Sequence, residues 1–240
     1  MSYEYQKQRP VIPMSRTKIQ ELFNAAMARV YLWMFTGLLL TTIVAYIAST
    51  SETILRFVFG TPFVMLGLFV VEIGLVIAIS AAIMKLSPAK ALTLFFLYAA
   101  LNGVTMSVIF LAYTSGTVIM AFGTTSVLFG IMSVVGYTTK SDLTKWGPIL
   151  LMGLVGIIIA SIANMFLASS TLDWIITYAG ILLFLALIVY DTKYIKTMTA
   201  KFAATGDGQM VNRIGVLGAL KLYLDFINLF LFTLRLFGRK

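Results

Sequence analysis

Two residue types are missing from this 240-residue chain: it contains no cysteine and no histidine. Those absences exclude disulfides, thiolate nucleophiles, zinc or haem centres with Cys or His ligands, and a Ser-His-Asp triad. Charge is scarce as well. Only 11% of the residues are charged, whereas a soluble domain carries about 25%. With 60% of the residues hydrophobic and a mean hydropathy of +0.97, too few polar side chains remain to cover a water-facing surface. The composition is that of a polytopic membrane protein. The chemistry left to it is that of carboxylates, hydroxyls, amides, Lys and Arg. A cation site would have to be built from oxygen, which suits Ca²⁺, Mg²⁺, Na⁺ or protons. No catalytic residue and no cofactor is expected, and the chain is not read as an enzyme.

A hydrocarbon core about 30 Å thick takes about 20 apolar residues per helix. Seven such stretches occur, near 29–49, 62–84, 90–113, 117–137, 147–168, 172–192 and 216–236. The predicted fold class is therefore an all-α membrane protein with seven transmembrane helices. Residues 29–240 form that domain, preceded by a polar tail over 1–28 that contains no signal-peptide core. Within the tail, a short amphipathic helix is predicted over 15–28, capped by Ser15, with Ile19, Leu22 and Phe23 on one face.

Basic residues set the orientation. With the N-terminus inside, 14 of the 18 Lys and Arg fall in cytoplasmic segments, including Lys85, Lys193, Arg213 and the boundary residue Lys221. The expected topology is N-terminus cytoplasmic and C-terminus periplasmic, with the basic end Arg235–Lys240 as the dissenting feature. The net charge of +9 then reads as leaflet anchoring to the lipid bilayer and calls for no nucleic acid. Small residues spaced for close helix approach occur at Ala99, Gly103 and Ser107, at Gly156 and Ala160, and at Gly123 and Gly130. Asn102 and Asn164 lie inside spans and are expected to hydrogen-bond across helices.

Of nine acidic residues, only Glu72, Asp191 and Asp225 fall in or against the spans without an evident account. An ionised carboxylate near the bilayer centre costs at least ~2.5–3.5 kcal/mol on insertion scales, so each needs a partner, water or a proton. Glu72 falls near the midplane. Asp191 closes the sixth span, and Asp225 lies about one turn into the seventh if Lys221 snorkels to the interface. The two aspartates can then meet. A helix C-terminus, burial and a second carboxylate all oppose charge there, so such a pair tends to share a proton. Protonated, it would hold the two helices together; ionised, it would repel and attract a cation. A satisfied polar contact that merely fixes the bundle is the alternative.

Several stretches carry a resemblance. They are Tyr98-Ala-Ala-Leu-Asn-Gly-Val-Thr-Met-Ser107, Gly136-Tyr-Thr-Thr-Lys-Ser-Asp-Leu143 and Tyr190-Asp-Thr192. Most specific is Gly218-Ala-Leu-Lys-Leu-Tyr-Leu-Asp-Phe-Ile-Asn-Leu-Phe230, followed by Leu234-Arg-Leu-Phe-Gly238. Over nearly its whole length the chain resembles the Bax inhibitor (transmembrane BAX inhibitor motif) family, and most closely its bacterial branch. The resemblance implies a last helix placed centrally between two three-helix layers. It also implies a pH-sensitive Ca²⁺ leak in the inner membrane, gated by an aspartate pair matching Asp191 and Asp225, with Glu72 facing the path. Family members of this type can carry a second-span arginine that bridges the aspartates. Here Ile73 to Met84 holds no basic residue, so closure would rest on the shared proton.

The resemblance also implies a second role, regulation of a membrane-anchored ATP-dependent (AAA) protease through the N-terminal tail, for which Met1–Pro13 would be the handle. Two enzyme-like or cofactor readings fit less well. An aspartyl intramembrane protease needs a Gly-x-Gly-Asp turn, whereas residues 222–225 are Leu-Tyr-Leu-Asp. A retinal protein needs a mid-membrane lysine, whereas Lys221 is expected near the interface.

Overall fold

The computed structural model describes residues 16–238. The tail Met1–Pro13, the cap expected at Ser15 and the last two basic residues lie outside them. Among the described residues every regular element is a helix, as hydrocarbon demands of a backbone that must satisfy its own hydrogen bonds. The elements are α1 (Arg16–Thr50), α2 (Glu52–Gly60), α3 (Pro62–Ala82), α4 (Pro88–Met106) and α5 (Val108–Ala112). They continue with α6 (Ser115–Thr138), α7 (Trp146–Leu167), α8 (Ser170–Ala204) and α9 (Gly208–Phe237). Seven segments are long and apolar enough to cross a membrane, α4 and α5 together making one of them. Their apolar centres coincide with the seven stretches read from the sequence.

Local chemistry sets most of the boundaries. Ser87, Thr114, Ser169 and Asp207 each accept a hydrogen bond from a backbone N–H in the first turn of the helix that follows. Pro62 and Pro88 occupy first-turn positions where no N–H is needed. Between α8 and α9 the chain reverses through Gly206, whose φ of 72° suits a residue without Cβ.

Three features differ from the sequence reading. The amphipathic helix predicted over 15–28 is not a separate surface element, because α1 runs unbroken from Arg16 into the first span. No Gly or Pro interrupts it before Gly37, and Phe23, Ala26 and Met27 are buried in the bundle rather than turned to headgroups. The connection before the second span holds a helix of its own, α2, closed by an exposed Glu52–Arg56 ion pair of 2.6 Å. The third span breaks at Ser107, between α4 and α5.

α9 is the inner helix. Of its span window 72% is buried, against 44% or less for each of the others, and it packs on α1, α4, α6 and α8. α7 is the opposite case, only 6% buried and packed chiefly on α8. Because α1 and α8 have 35 residues each, they rise about 52 Å. That exceeds an apolar core of about 30 Å, so both are longer than a single crossing needs.

Basic residues at the end that carries the α8–α9 turn are tied to protein. Lys193 and Lys196 of α8 each donate at 2.6 Å, to the carbonyls of Thr139 and Tyr137 at the end of α6. Arg213 of α9 donates to the Met84 carbonyl beyond α3 at 2.8 Å, and Arg29 of α1 to Asn212 Oδ1 at 2.7 Å. Neither α3 nor α6 has a basic residue in its own last turn. Neighbouring helices thus supply the cations that their C-terminal carbonyls favour.

Candidate functional site

Asp191 of α8 is joined to α9 through a cation, and Asp225 lies one helical turn from that cation. Asp191 and Lys221 stand fifteen residues to either side of Gly206, so the antiparallel pair sets them at one level. Lys221 Nζ lies 2.7 Å from Asp191 Oδ1 and 5.4 Å from the centre of the Tyr194 ring. Asp191 is buried. Lys221 therefore does not snorkel to the headgroups, as the sequence reading supposed; its ammonium turns inward to α8. The charge that pairs with Asp191 comes from the last helix, although the second span lacks an arginine.

Asp225 sits four residues beyond Lys221, on the same face of α9 and about 6 Å deeper along the helix axis. It is 4% exposed, one helical turn from the Lys221 that pairs with Asp191. Its Oδ2 has no hydrogen-bond partner among the described residues. No direct hydrogen bond joins the two aspartates there either. The arrangement is two carboxylates and one ammonium in a mostly buried place.

Glu72 is placed elsewhere. Buried on α3, a helix that is mostly exposed, its carboxylate accepts from Thr105 Oγ1 at 3.0 Å and from Asn102 Nδ2 at 3.5 Å. Asn102 Oδ1 accepts in turn from the Tyr223 hydroxyl at 3.0 Å. That hydroxyl lies 2.7 Å from Thr41 Oγ1, which reaches the Ala99 carbonyl at 2.8 Å. A neutral chain of hydroxyls and an amide thus connects α3, α4, α9 and α1. Tyr223 is two residues from Lys221 and from Asp225, a rotation of roughly 200° on a helix. The Glu72 cluster and the Asp191–Lys221–Asp225 cluster accordingly lie on opposite sides of α9.

Among the described residues no group of three or more acidic side chains converges on a metal position. Ca²⁺ takes about six to eight oxygen ligands, so neither cluster is a built resident calcium site. Asn102 bonds across helices as expected, whereas Asn164 does not: its Oδ1 accepts from Ser169 N at 3.0 Å and closes the end of α7. The packing glycines also divide. A Cβ on Gly103 would stand 2.7 Å from the Thr41 carbonyl, but one on Gly123, Gly130 or Gly156 would meet open space.

The family model for the inhibitor of apoptosis-promoting Bax1 matches residues 23–240. The chain belongs to the Bax inhibitor family. It is 45% identical over 214 residues to the inner membrane protein YbhL of Escherichia coli, covering 89% of this chain and 91% of that one. It is 45% identical over 217 residues to a protein of Borreliella burgdorferi, covering 90% and 93%. With a protein of Deinococcus radiodurans it shares 38% over 226 residues, covering 94% and 95%. Together with the seven apolar helices, these likenesses make this Bax inhibitor family member a multi-pass inner-membrane protein.

Three members of the two clusters were not assigned a role from sequence: Tyr223, Thr105 and Thr41. Each is a hydroxyl inside an apolar stretch, which is a weak signal, since most such hydroxyls bond their own helix. Lys221 carried a stronger one, four residues from Asp225 and so on its face.

Proposed function

We propose that this protein is a pH-gated cation leak of the bacterial inner membrane. Ca²⁺ is its permeant ion, and Asp191, Asp225 and Lys221 form its gate. The observation that carries the reading is the unpartnered Oδ2 of buried Asp225 beside the Asp191–Lys221 pair. Two carboxylates facing one lysine leave one negative charge over. A proton on the pair removes it, and a passing cation would balance it. Lys221 acts as a tethered cation: it fills the place beside Asp191 that a mobile ion would take, and so holds the closed state.

The sign of the pH response follows. As pH rises and the pair loses its proton, the surplus charge appears, α8 and α9 repel through it, and the leak increases. Glu72 stands across α9 from this gate, held by Thr105 and Asn102, and is not a member of it. In the orientation that goes with this reading the α8–α9 turn and the N-terminus face the cytoplasm, with the C-terminus periplasmic. Its support is the basic cluster at that end.

The test is Ca²⁺ flux into dye-loaded proteoliposomes from about pH 5 to about pH 8, the range in which a coupled carboxylate pair can titrate. Wild type should leak more at the upper end, and Asp191→Asn and Asp225→Asn should each flatten the pH dependence. Variants that keep the wild-type pH curve would overturn the gate. Absence of flux from stable wild-type protein would overturn the leak itself.

A further inference from the structure

A crevice of about 420 Å³ opens in the side of the bundle, with none of the three buried carboxylates in its lining. α1, α4, α5, α6 and α9 line it with, among others, Thr41, Ala45, Ile109, Phe122, Phe226 and Phe230. Its inner wall is buried, Phe226 and Phe230 belonging to the core of α9, while Ile119 and Phe122 of α6 form an exposed lip. The crevice therefore reaches from the lipid-facing surface to the inner helix.

We propose that this crevice is a binding site for one acyl chain of a bilayer phospholipid. Its polar groups already have partners. The Thr41 hydroxyl is held by the carbonyls of Gly37 and Ala99 and by Tyr223, and the Thr42 hydroxyl donates to the Leu38 carbonyl at 2.9 Å. Nothing in the lining asks for a headgroup or an ion. A water there would lack the two to four polar partners it needs, and an empty space would forfeit the dispersion contacts of every wall atom. The lining segments all belong to membrane-crossing helices, so the medium at the lip is hydrocarbon. The volume falls in the range of small-molecule pockets, about 300–1,000 Å³. The occupant would rest against Thr41 and Phe226, the one bonded to the neutral chain that holds Glu72, the other next to Asp225.

Gly123 gives the test its variant. It lines the crevice, and a Cβ there meets nothing within 4 Å, so leucine enters the void rather than a neighbour. Gly130 lies two turns on along the same face, with the same open space but outside the lining. The full chain would be placed in phosphatidylethanolamine–phosphatidylglycerol vesicles holding a trace of phosphatidylglycerol with a photoreactive diazirine midway along one tail. After irradiation, adducts would be mapped by peptide mass spectrometry. The expected result is labelling of Phe226 and Phe230, lost in Gly123→Leu and retained in Gly130→Leu. Met165 and Phe166, exposed on α7, should label equally in all three. Wild-type labelling confined to lipid-exposed residues would overturn the site, and it decides even if Gly123→Leu does not fold. Undiminished labelling of Phe226 and Phe230 in folded Gly123→Leu would overturn it too.

Discussion

On one side of α9 a carboxylate is settled by neutral groups; on the other, two carboxylates share one cation. Glu72 reaches Thr105 and Asn102, and the chain behind them ends on backbone carbonyls, so every member has partners. Among the described residues Asp191 and Asp225 have Lys221 as countercharge, and one oxygen of Asp225 is left without a hydrogen bond. The two solutions differ in what they leave over. A neutral network that satisfies its members fixes three helices around the inner one. An odd number of charges leaves a position that changes with proton or cation. Under the proposed gate, this difference, rather than depth alone, would separate the carboxylate that holds the fold from the pair that switches it.

The largest expected effect comes from removing the cation that pairs with Asp191. Lys221→Met keeps most of the stem and abandons Asp191 in a mostly buried place, which should cost about 3 kcal/mol, as breaking a buried pair does. Equilibrium unfolding in mixed micelles measures it. Adding Asp191→Asn should restore most of the loss, because two neutral groups carry no unpaired charge. A double variant as unstable as the single one would show that the ion pair is not what Lys221 contributes.

On the neutral side the expected losses are smaller and of another kind. Gly103→Ala places a Cβ 2.7 Å from the Thr41 carbonyl and 2.8 Å from the Val44 Cβ. It forces apart α1 and α4, and overpacking of that kind costs about 2 kcal/mol. Gly156→Ala, with open space around it, should change stability by less than about 0.5 kcal/mol. Equal costs at the two positions would mean that the α1–α4 approach is not what holds the network.

Tyr223→Phe removes the hydroxyl that joins Asn102 to Thr41, at an expected cost of about 1–2 kcal/mol. Its value lies in what should stay the same. If the two sides of α9 act separately, the variant's proteoliposome flux keeps the wild-type pH profile. A flattened profile would join the clusters into one device and end the distinction between them.

How far the sequence carried the reading follows from what each residue can do alone. Seven spans were legible because hydrocarbon tolerates only long apolar helices, and a continuous run shows that demand directly. Glu72, Asp191 and Asp225 were legible because a carboxylate in such a run is costly wherever it points. The direction of Lys221 was not: a long stem near an interface reaches headgroups or a buried partner equally well, and only the register of α8 against α9 decides. The glycines failed for the same reason. Gly103 and Gly156 have the same spacing signature, but α4 is covered by α1 whereas much of α7 faces lipid. Phe23, with Ile19 and Leu22, read as a membrane-facing stripe because an apolar face does not say whether lipid or protein will cover it.

A last measurement compares one contact in two media. In the α6–α7 connection, Asp142 Oδ1 accepts from the Thr144 hydroxyl at 2.6 Å and from Thr144 N at 2.9 Å. The hydroxyl first, then the amide, holds this exposed carboxyl below its ordinary value. A carboxyl depressed in the folded state favours the folded turn above the unfolded chain's value, and that contribution fades as pH falls through the folded one. Thr144→Ala should therefore move the Asp142 titration, followed by carboxyl-carbon NMR, up towards the ordinary carboxyl range and leave the bundle's stability unchanged. Thr105→Ala removes the same kind of hydroxyl from Glu72, but inside the bundle. There the loss should appear as about 1–3 kcal/mol of stability, because no water replaces the missing donor. If Thr105→Ala were as harmless as Thr144→Ala, Glu72 would not depend on its neutral partners, and the contrast between the two sides of α9 would rest on Lys221 alone.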